Sequence, residues 1–430
     1  MELKKHRPEI ERDVQERFLR YVTVHTTSDR HSDTTPSTPQ QWDLARMLAD
    51  ELKEIGLSDV TVTEFGYVIA RVPASEGVTA PPVAFLAHMD TAPDSSGENV
   101  TPQIWEGYDG GVLEIGNGLV LDPQEYPDLL DFVGETIITA DGRTLLGADD
   151  KAGVAEIMTA VKFIVEHPEL SHPKLEIVFT PDEEIGRGVD KLEVQDLHAR
   201  FAYTMDGGKE GSIEAECFSA YSVNVVIDGY VIHPGSARGK MANAVTIAGR
   251  MLSMLPQNES PEATDGRFGF YCPIEVRGDY GRAEIDLIIR DFELDEVLRR
   301  VQYVEDLGRT MEGAYPRCKV TVTSQKQYIN MRDRLVKYPF MMDILKEAIR
   351  TTGVEPIMEP IRGGTDGARL TEMGLPTPNI FAGGLNFHGP YEWIPLRSMV
   401  RAVETILEIL KLWSVQVPAD TELPEITAER

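Results

Sequence analysis

The chain has 430 residues, of which 42% are hydrophobic and 26% are charged, and its formal net charge is −29. This composition excludes a disordered or fibrous protein, and the length predicts two or three domains. Nucleic acids and anionic membranes attract clustered Lys and Arg, so we expect this acidic chain to bind neither of them. The charge by itself names no function.

Three cysteines, Cys217, Cys272 and Cys318, stand far apart and form no CxxC pair. This pattern fits neither a disulfide framework nor cysteine-ligated zinc, so a reducing compartment is expected. The N-terminal segment is too charged for a signal peptide, and no later segment has the ~18 uncharged apolar residues of a membrane span. We therefore expect a cytoplasmic protein.

The first half of the chain alternates between strand and helix patterns. Hydrophobic periodicity predicts helices over residues 8–22, 40–55 and 153–166, a strand-like run over 60–72, and buried strands over 83–87, 175–179 and 201–205. Between residues 87 and 153, a Gly-rich and polar stretch carries no predicted element. The alternation predicts an α/β domain with parallel strands and crossover helices.

The second half begins with a different order of elements. Strands over 221–227, 269–276, 283–291 and 318–324 and helices over 244–255 and 294–311 give a β-α-β-β-α-β series, which is a ferredoxin-like unit. A helix over 339–351, strands near 356–361 and 379–381 and a helix over 396–413 resume the α/β pattern. We therefore predict a catalytic domain made of residues 1–213 and 328–430, with a small domain of residues 214–327 inserted into it.

Two motifs of the first half carry possible metal ligands. His88 and Asp90 follow a predicted buried strand and share one face of it, which suits a metal-binding imidazole that gives its other N–H to a carboxylate. The alternative is a surface histidine beside a turn-forming Asp. Asp149 and Asp150 precede a predicted helix, where a single Asp would suffice for capping, so one carboxylate is left to bridge two cations.

Three more acidic side chains and a histidine follow predicted strands. Glu183 and Glu184 come after the strand over 175–179, at the end where open α/β sheets place their ligands. One of the two could bind metal while its neighbour takes a proton from water, although Glu-Glu pairs are also common on exposed loops. Asp206 ends the next strand, and His388 lies in a loop after the strand near 379.

A charge count favours a dinuclear centre. Asp149, Glu184 and Asp206 with one bridging hydroxide carry a charge of −4, which balances two divalent cations. His88 and His388 would then supply one neutral ligand to each cation. Mixed nitrogen and oxygen ligands suit two catalytic Zn²⁺ ions per subunit, and Mn²⁺ or Co²⁺ could occupy the same ligands.

These motifs resemble those of the dinuclear zinc exopeptidases, and in particular the tripeptide aminopeptidases among them. The likeness runs through nearly the whole chain, in HMDTAPDSSG from His88, TLLGADDKAGVAEIMTA from Thr144, FTPDEEIGRG from Phe179, YTMDGG from Tyr203, HPGSARG from His233, IRDF from Ile289, IRGGTDGA from Ile361 and NFHG from Asn386. The resemblance implies a zinc-exopeptidase domain of α/β class with a mixed, mainly parallel sheet. It also implies that the inserted ferredoxin-like α+β unit is a lid that forms a homodimer.

The resemblance further implies a role for each site residue. One zinc would bind His88 and Asp206, the other Glu184 and His388, with Asp149 bridging and a cis peptide bond between Asp149 and Asp150. Asp90 would orient His88 and Glu183 would be the general base. The residues expected to bind substrate are His233, Asn243, Arg290 and Arg362.

The implied function is a metallopeptidase that releases the N-terminal residue from tripeptides. Two alternatives stay open. A dipeptidase or an N-acyl amino acid deacylase would keep the same metal ligands, and a non-catalytic, metal-dependent peptide-binding protein would have no need of Glu183 beside Glu184.

Overall fold

The computed structural model describes residues 3–426, so the outer limits of the predicted catalytic domain, residues 1 and 430, lie outside it. The chain divides into two compact units. The small unit comprises Glu216–Arg332 together with Pro360–Gly364, and the large unit contains the other described residues. No helix within residues 3–426 is both long enough and apolar enough to cross a membrane.

The first part of the large unit contains three helices and ten strands. Their bounds are α1 (Arg7–Val22), α2 (Gln41–Ile55), β1 (Asp59–Val62), β2 (Val68–Val72), β3 (Val83–His88), β4 (Gln103–Trp105), β5 (Leu113–Gly116), β6 (Leu119–Leu121), β7 (Ile137–Thr139), α3 (Ala148–Glu166), β8 (Leu175–Thr180), β9 (Phe201–Gly207) and β10 (Ser212–Glu214). Helix α2 shows how the pattern works, since Leu44, Leu48 and Leu52 are buried at four-residue spacing and Gly56 ends the helix with φ +114°.

The small unit has the predicted β-α-β-β-α-β order. Its elements are β11 (Ser219–Asp228), α4 (Ala244–Ser253), β12 (Phe270–Gly278), β13 (Arg282–Asp291), α5 (Leu294–Ala314) and β14 (Lys319–Tyr328). The four strands form an antiparallel sheet in the order β12-β13-β11-β14. Alternate residues of β13, including Ile285 and Leu287, are buried in one apolar cluster with residues of both helices.

The chain then returns to the large unit and completes its sheet. The remaining elements are α6 (Arg332–Leu335), α7 (Pro339–Thr352), β15 (Ile357–Met358), α8 (Asp366–Glu372), β16 (Asn379–Phe381), β17 (Trp393–Pro395) and α9 (Leu396–Gln416). Eight strands of the described chain form one sheet in the order β1-β2-β8-β3-β9-β16-β10-β15. Four neighbouring pairs are parallel and three are antiparallel, so the sheet is mixed, with β3 between two parallel neighbours.

Both faces of the central strand β3 are buried. Val83, Phe85 and Ala87 lie in the larger apolar cluster with α1, α3 and α9, whereas Ala84 and Leu86 lie in a second cluster on the other face. This burial explains why the strand reads as a continuous apolar run rather than as an alternating one.

One sequence-based expectation about local structure was wrong. The run over 60–72 is not one strand but the antiparallel hairpin β1–β2, because Gly66 (φ +82°) turns the chain where a Cβ would meet Pro36 Cγ at 2.6 Å. Between residues 87 and 153, where the sequence offers no clear pattern, the structure contains β4 to β7. These strands have only three or four residues each and are too short to show periodicity.

Candidate metal centre and active site

The candidate ligands meet at one edge of the large sheet. Strands β8, β3 and β9 are parallel neighbours, and β16 is parallel to β9. His88 is the last residue of β3 and Asp206 lies near the end of β9, whereas Glu183 and Glu184 follow β8 after Pro181 and Asp182. His388 lies in the loop after β16, where its φ is +64°. The parallel arrangement therefore brings side chains that are distant in sequence to one place.

Four short contacts connect five of these side chains. His88 Nε2 lies 2.9 Å from Asp149 Oδ1 and 3.5 Å from Asp206 Oδ1. His388 Nε2 lies 3.3 Å from Asp149 Oδ2 and 3.0 Å from Glu184 Oε2. Ligand atoms at ~2.0–2.1 Å from a tetrahedral zinc ion are about 3.3 Å apart, so these separations suit cation binding.

The donor atoms fall into two groups that share one carboxylate. Asp149 directs Oδ1 to His88 and Oδ2 to His388, so each of its oxygens belongs to a different group. Glu184 Oε1 is buried and has no hydrogen-bond partner among the described residues. The residues therefore fit two cations bridged by Asp149.

Comparison with known proteins decides the family. Residues 131–412 match the model of peptidase family M20/M25/M40. Peptidase T of Geobacillus thermodenitrificans is 50% identical over 400 residues, which are 93% of this chain and 97% of that protein. Peptidase T of Clostridium perfringens strain 13 is 48% identical over 401 residues, 93% of this chain and 99% of that protein. The chain belongs to the peptidase T group of family M20/M25/M40. The family and the enzyme class predicted from the sequence are thus confirmed.

Solved structures confirm the fold class of this M20 peptidase. Aminopeptidase PepT from Bacillus cereus superposes with a TM-score of 0.72 at 22% identity, covering 94% of this chain and 98% of that one. A tripeptidase from Staphylococcus aureus gives a TM-score of 0.74 at 21% identity, covering 94% and 99%. At these identities the likeness concerns the fold.

The adjacent residues Asp149 and Asp150 of the M20 peptidase have different roles. The peptide bond between Asp149 and Asp150 is cis, as the resemblance implies, and both residues have non-helical backbone angles at the start of α3. Asp150 accepts hydrogen bonds from the backbone N–H groups of His88 (3.1 Å) and Gly153 (3.2 Å). Asp150 therefore caps the helix and anchors the end of β3, which leaves the Asp149 carboxylate facing the two histidines.

Asp90 fixes the loop of the two glutamates. Its Oδ1 accepts the backbone N–H of Glu183 at 3.0 Å and its Oδ2 that of Glu184 at 3.2 Å. His88 Nδ1 is nearer to the backbone oxygen of Asp90 (3.0 Å) than to its carboxylate (3.5 Å). Asp90 thus orients the imidazole mainly through its own carbonyl group, and its carboxylate positions the neighbouring loop.

The carboxyl groups of the cluster have strongly perturbed pKa values. Burial, followed by the negative charge of Asp206, raises the pKa of Glu183 well above its usual value. Burial and the charge of Asp149 raise the pKa of Glu184 to about 8. Burial alone would also raise the pKa of Asp149, but hydrogen bonds from His388 and His88 outweigh burial and lower it. Crowding of buried acids is typical of sites that hold cations or move protons.

Sequence reasoning missed Glu392, a buried residue that organises the loop before Asp149. One carboxylate oxygen, Oε2, accepts the backbone N–H groups of Leu146 (2.7 Å) and Gly147 (2.8 Å), and Oε1 accepts that of Asp149 (3.0 Å). Glu392 comes four residues after His388 and directly before β17, which pairs with β7. It therefore connects the loop of one ligand to the loop of another, a role that no local sequence pattern signals.

Two further aspartates near the cluster were not singled out either. Asp182, with φ +60°, accepts the backbone N–H of Ser37 and the side-chain amide of Gln41, which ties the glutamate loop to the start of α2. Asp366 is buried and accepts the hydroxyl of Thr180 at 2.7 Å. Burial raises the pKa of Asp366 to about 7.

The four expected substrate-binding residues all belong to the small unit. His233 is exposed, and its Nδ1 accepts the backbone N–H of Gly235 at 3.1 Å. Asn243 caps α4 by accepting the backbone N–H of Thr246 at 3.2 Å.

The two arginines of this set have different surroundings. Arg290 donates to the backbone oxygen of Arg362 at 3.2 Å, and its buried Nε has no partner among residues 3–426. The Arg362 guanidinium lies 5.5 Å from the ring centres of both Phe218 and Phe270. It donates to the backbone oxygens of Thr264 and Phe268 and to the Thr264 hydroxyl, so much of its donor capacity is used within the small unit.

Proposed function

We propose that this chain is a metal-dependent aminopeptidase that releases the N-terminal residue of tripeptides, with short peptides as its substrates. One observation carries the proposal. The two oxygens of Asp149 face two histidines of separate donor groups, and the half-buried Glu183 adjoins the candidate ligand Glu184. The peptidase T relatives support the same activity.

The proposed centre holds two divalent cations, for which we propose Zn²⁺. His88 and Asp206 would hold one, Glu184 and His388 the other, and Asp149 both. When bound, such cations polarise the peptide carbonyl and lower the pKa of water. Mn²⁺ and Co²⁺ accept similar ligands and are the natural substitutes.

Glu183 is the proposed general base. Its carboxylate takes a proton from the attacking water and then gives that proton to the departing amine nitrogen. Burial raises the pKa of Glu183, and a carboxyl with a raised pKa returns a proton more readily than an ordinary one. Asp90 holds the backbone of Glu183 and thereby sets where this carboxylate can reach.

The roles of His233, Asn243, Arg290 and Arg362 remain predictions. An Arg fork matches a terminal carboxylate in a bidentate manner, and a clamp of this kind would measure the length of a peptide from its scissile bond. Between the two arginines, Arg290 retains more unused donors within the described contacts.

Hydrolysis of a small peptide panel tests the activity. We expect rapid cleavage of a tripeptide and little cleavage of the matching dipeptide or of an N-acetyl amino acid, measured by release of free amino acids. Dialysis against a chelator should abolish turnover, and added Zn²⁺ should restore it. Preferred cleavage of the dipeptide or the N-acetyl compound would support the other hydrolases, and metal-loaded protein without turnover would support a peptide-binding role.

We also propose a homodimer formed through the small unit. Strand β12 lies at the edge of its sheet and pairs only with β13 among residues 3–426. Its Ile274 and Val276 are 61% and 54% exposed. An edge strand with exposed apolar side chains can pair with another strand, and a second copy of the same chain offers the matching strand.

Substitution of one exposed valine tests the dimer. We expect Val276→Asp to reduce the mass measured by light scattering from twice the 47.9 kDa of the chain to that single value, because a charge on the edge opposes pairing. Val336→Asp is the matched control, since Val336 is 66% exposed in the large unit. A fully active wild-type protein of 47.9 kDa would contradict the proposal.

A further inference from the structure

A second cluster of possible metal ligands lies in the large unit, apart from the residues described above. It consists of His6, which precedes α1, Glu9 in the first turn of α1, and His167, which follows α3. One ligand atom from each residue lies within 4.8 Å of the others. Because α1 packs against α3, a local pair (His6 and Glu9) meets a residue from a distant part of the chain.

The distances in this cluster match those at the catalytic centre. His6 Nδ1 lies 3.2 Å from Glu9 Oε2, and His167 Nε2 lies 3.3 Å from Glu9 Oε1. These values fall within the range of 2.9–3.5 Å measured between His88 and its carboxylates. Two imidazoles and a carboxylate are a common ligand set for zinc.

The carboxylate of Glu169 favours one tautomer of the His167 ring. His167 Nδ1 lies 3.4 Å from Glu169 Oε1 and is placed to donate its N–H there. In the neutral ring, Nε2 then carries a lone pair and faces the Glu9 oxygen, which is also an acceptor. In this tautomer a divalent cation between the two acceptors satisfies both, and a carboxylate on the outer ring nitrogen is the usual companion of a metal-binding histidine.

Charge and packing agree with this arrangement. Glu9 and Glu169 together offer two negative charges to two neutral imidazoles, which balances one divalent cation. The Phe163 ring lies at a tilt of 30° to the His167 ring, with centroids 4.2 Å apart, and contacts the His6 ring edge-on at 5.4 Å. The aromatic ring restricts the motion of both imidazoles. The side chains therefore lose less conformational entropy when a metal binds.

We propose that His6, Glu9 and His167 form a third metal site, which takes a divalent cation of zinc type and is separate from the proposed catalytic pair. The ion ties the turn before α1 to the C-terminal end of α3, the helix whose other end carries Asp149. The site is structural, because its residues are not part of the catalytic cluster. It therefore affects stability and metal content, and leaves turnover unchanged.

Metal counting tests the proposal with Zn²⁺ alone as the probe. Chelator-treated protein is dialysed against Zn²⁺, and the bound zinc is counted per chain by atomic emission. We expect His167→Gln to bind one zinc fewer than wild type, while its tripeptide hydrolysis at saturating zinc stays unchanged. His31→Gln, which removes an exposed histidine elsewhere, should bind as much zinc as wild type.

A stability measurement gives the second readout. Zinc added beyond the amount needed for full activity should raise the melting temperature of wild type and of His31→Gln, because a ligand that binds only the folded state stabilises it. His167→Gln should show no such rise. If His167→Gln does not fold, the zinc content and the melting temperature are measured on Glu9→Gln instead. Equal zinc counts in wild type and either variant would overturn the proposal, whether or not the enzyme cleaves tripeptides.

Discussion

Glu183→Ala will leave the metal content of the enzyme unchanged and reduce its turnover by about 10²–10⁴-fold. The physical reason is that Glu183 lies beside the donor cluster without being one of the ligands that pair with the histidines. Its proposed task is to carry a proton between water and the leaving amine. Losing the carboxylate removes that proton transfer and leaves Asp149, Glu184, Asp206 and the two histidines in place.

The neighbouring variant Glu184→Ala is the matched control, because it makes the same change one residue away. It should lose one of the two metals, since Glu184 Oε2 lies 3.0 Å from His388 Nε2 and its Oε1 has no protein partner within the described chain. Zinc analysis of both purified variants, together with single-turnover assays, separates the two roles. Equal depletion of metal in the two proteins would refute the assignment.

Glu392→Ala should weaken metal binding by about 10–100-fold, although Glu392 is no ligand. The change leaves three backbone N–H groups without their acceptor, and each costs about 1–3 kcal/mol when it stays buried and unpaired. The loop that presents Asp149 then loses its anchor. We expect lower activity at limiting zinc, recovery at high zinc, and a lower melting temperature.

Two further variants make this test specific. Glu392→Gln keeps the shape and one carbonyl oxygen, so it should fall between wild type and Glu392→Ala in zinc dependence. Glu125→Ala removes an exposed glutamate and should behave as wild type. If Glu392→Ala loses stability but shows an unchanged zinc dependence, Glu392 supports only the fold and does not position the metal ligands.

Local sequence patterns predict much of the fold. Hydrophobic patterns predict the buried strand β3 and the order of helices and strands in the small unit. Side chains return to the same face every two residues in a strand and every 3.6 residues in a helix. The place of the candidate ligands at the ends of strands could also be predicted from the sequence. His88 and Asp206 stand at strand ends and Glu184 lies in the turn after β8, and parallel strands bring those ends together.

The different roles of neighbouring acidic residues could not be deduced from their residue types. Asp149 and Asp150 are identical in chemistry, and only the three-dimensional contacts show that Asp150 holds backbone N–H groups while Asp149 faces both histidines. Arg362 is a similar case. Its sequence neighbours belong to the returning part of the large unit, yet residues 360–364 pack with the small unit, where two phenylalanines and Thr264 contact the guanidinium.

The sequence alone thus determined the α/β class and the inserted ferredoxin-like unit and supplied the candidate metal ligands, since these depend on short-range pattern and on side-chain chemistry. Only the tertiary structure decided how the loops are held. Glu392 and Asp149 are 243 residues apart, and their hydrogen bond forms only when β7 and β17 pair and bring the two loops together. A contact of this kind has no sequence period, because the hydrogen bond pairs polar groups that meet only in the folded chain.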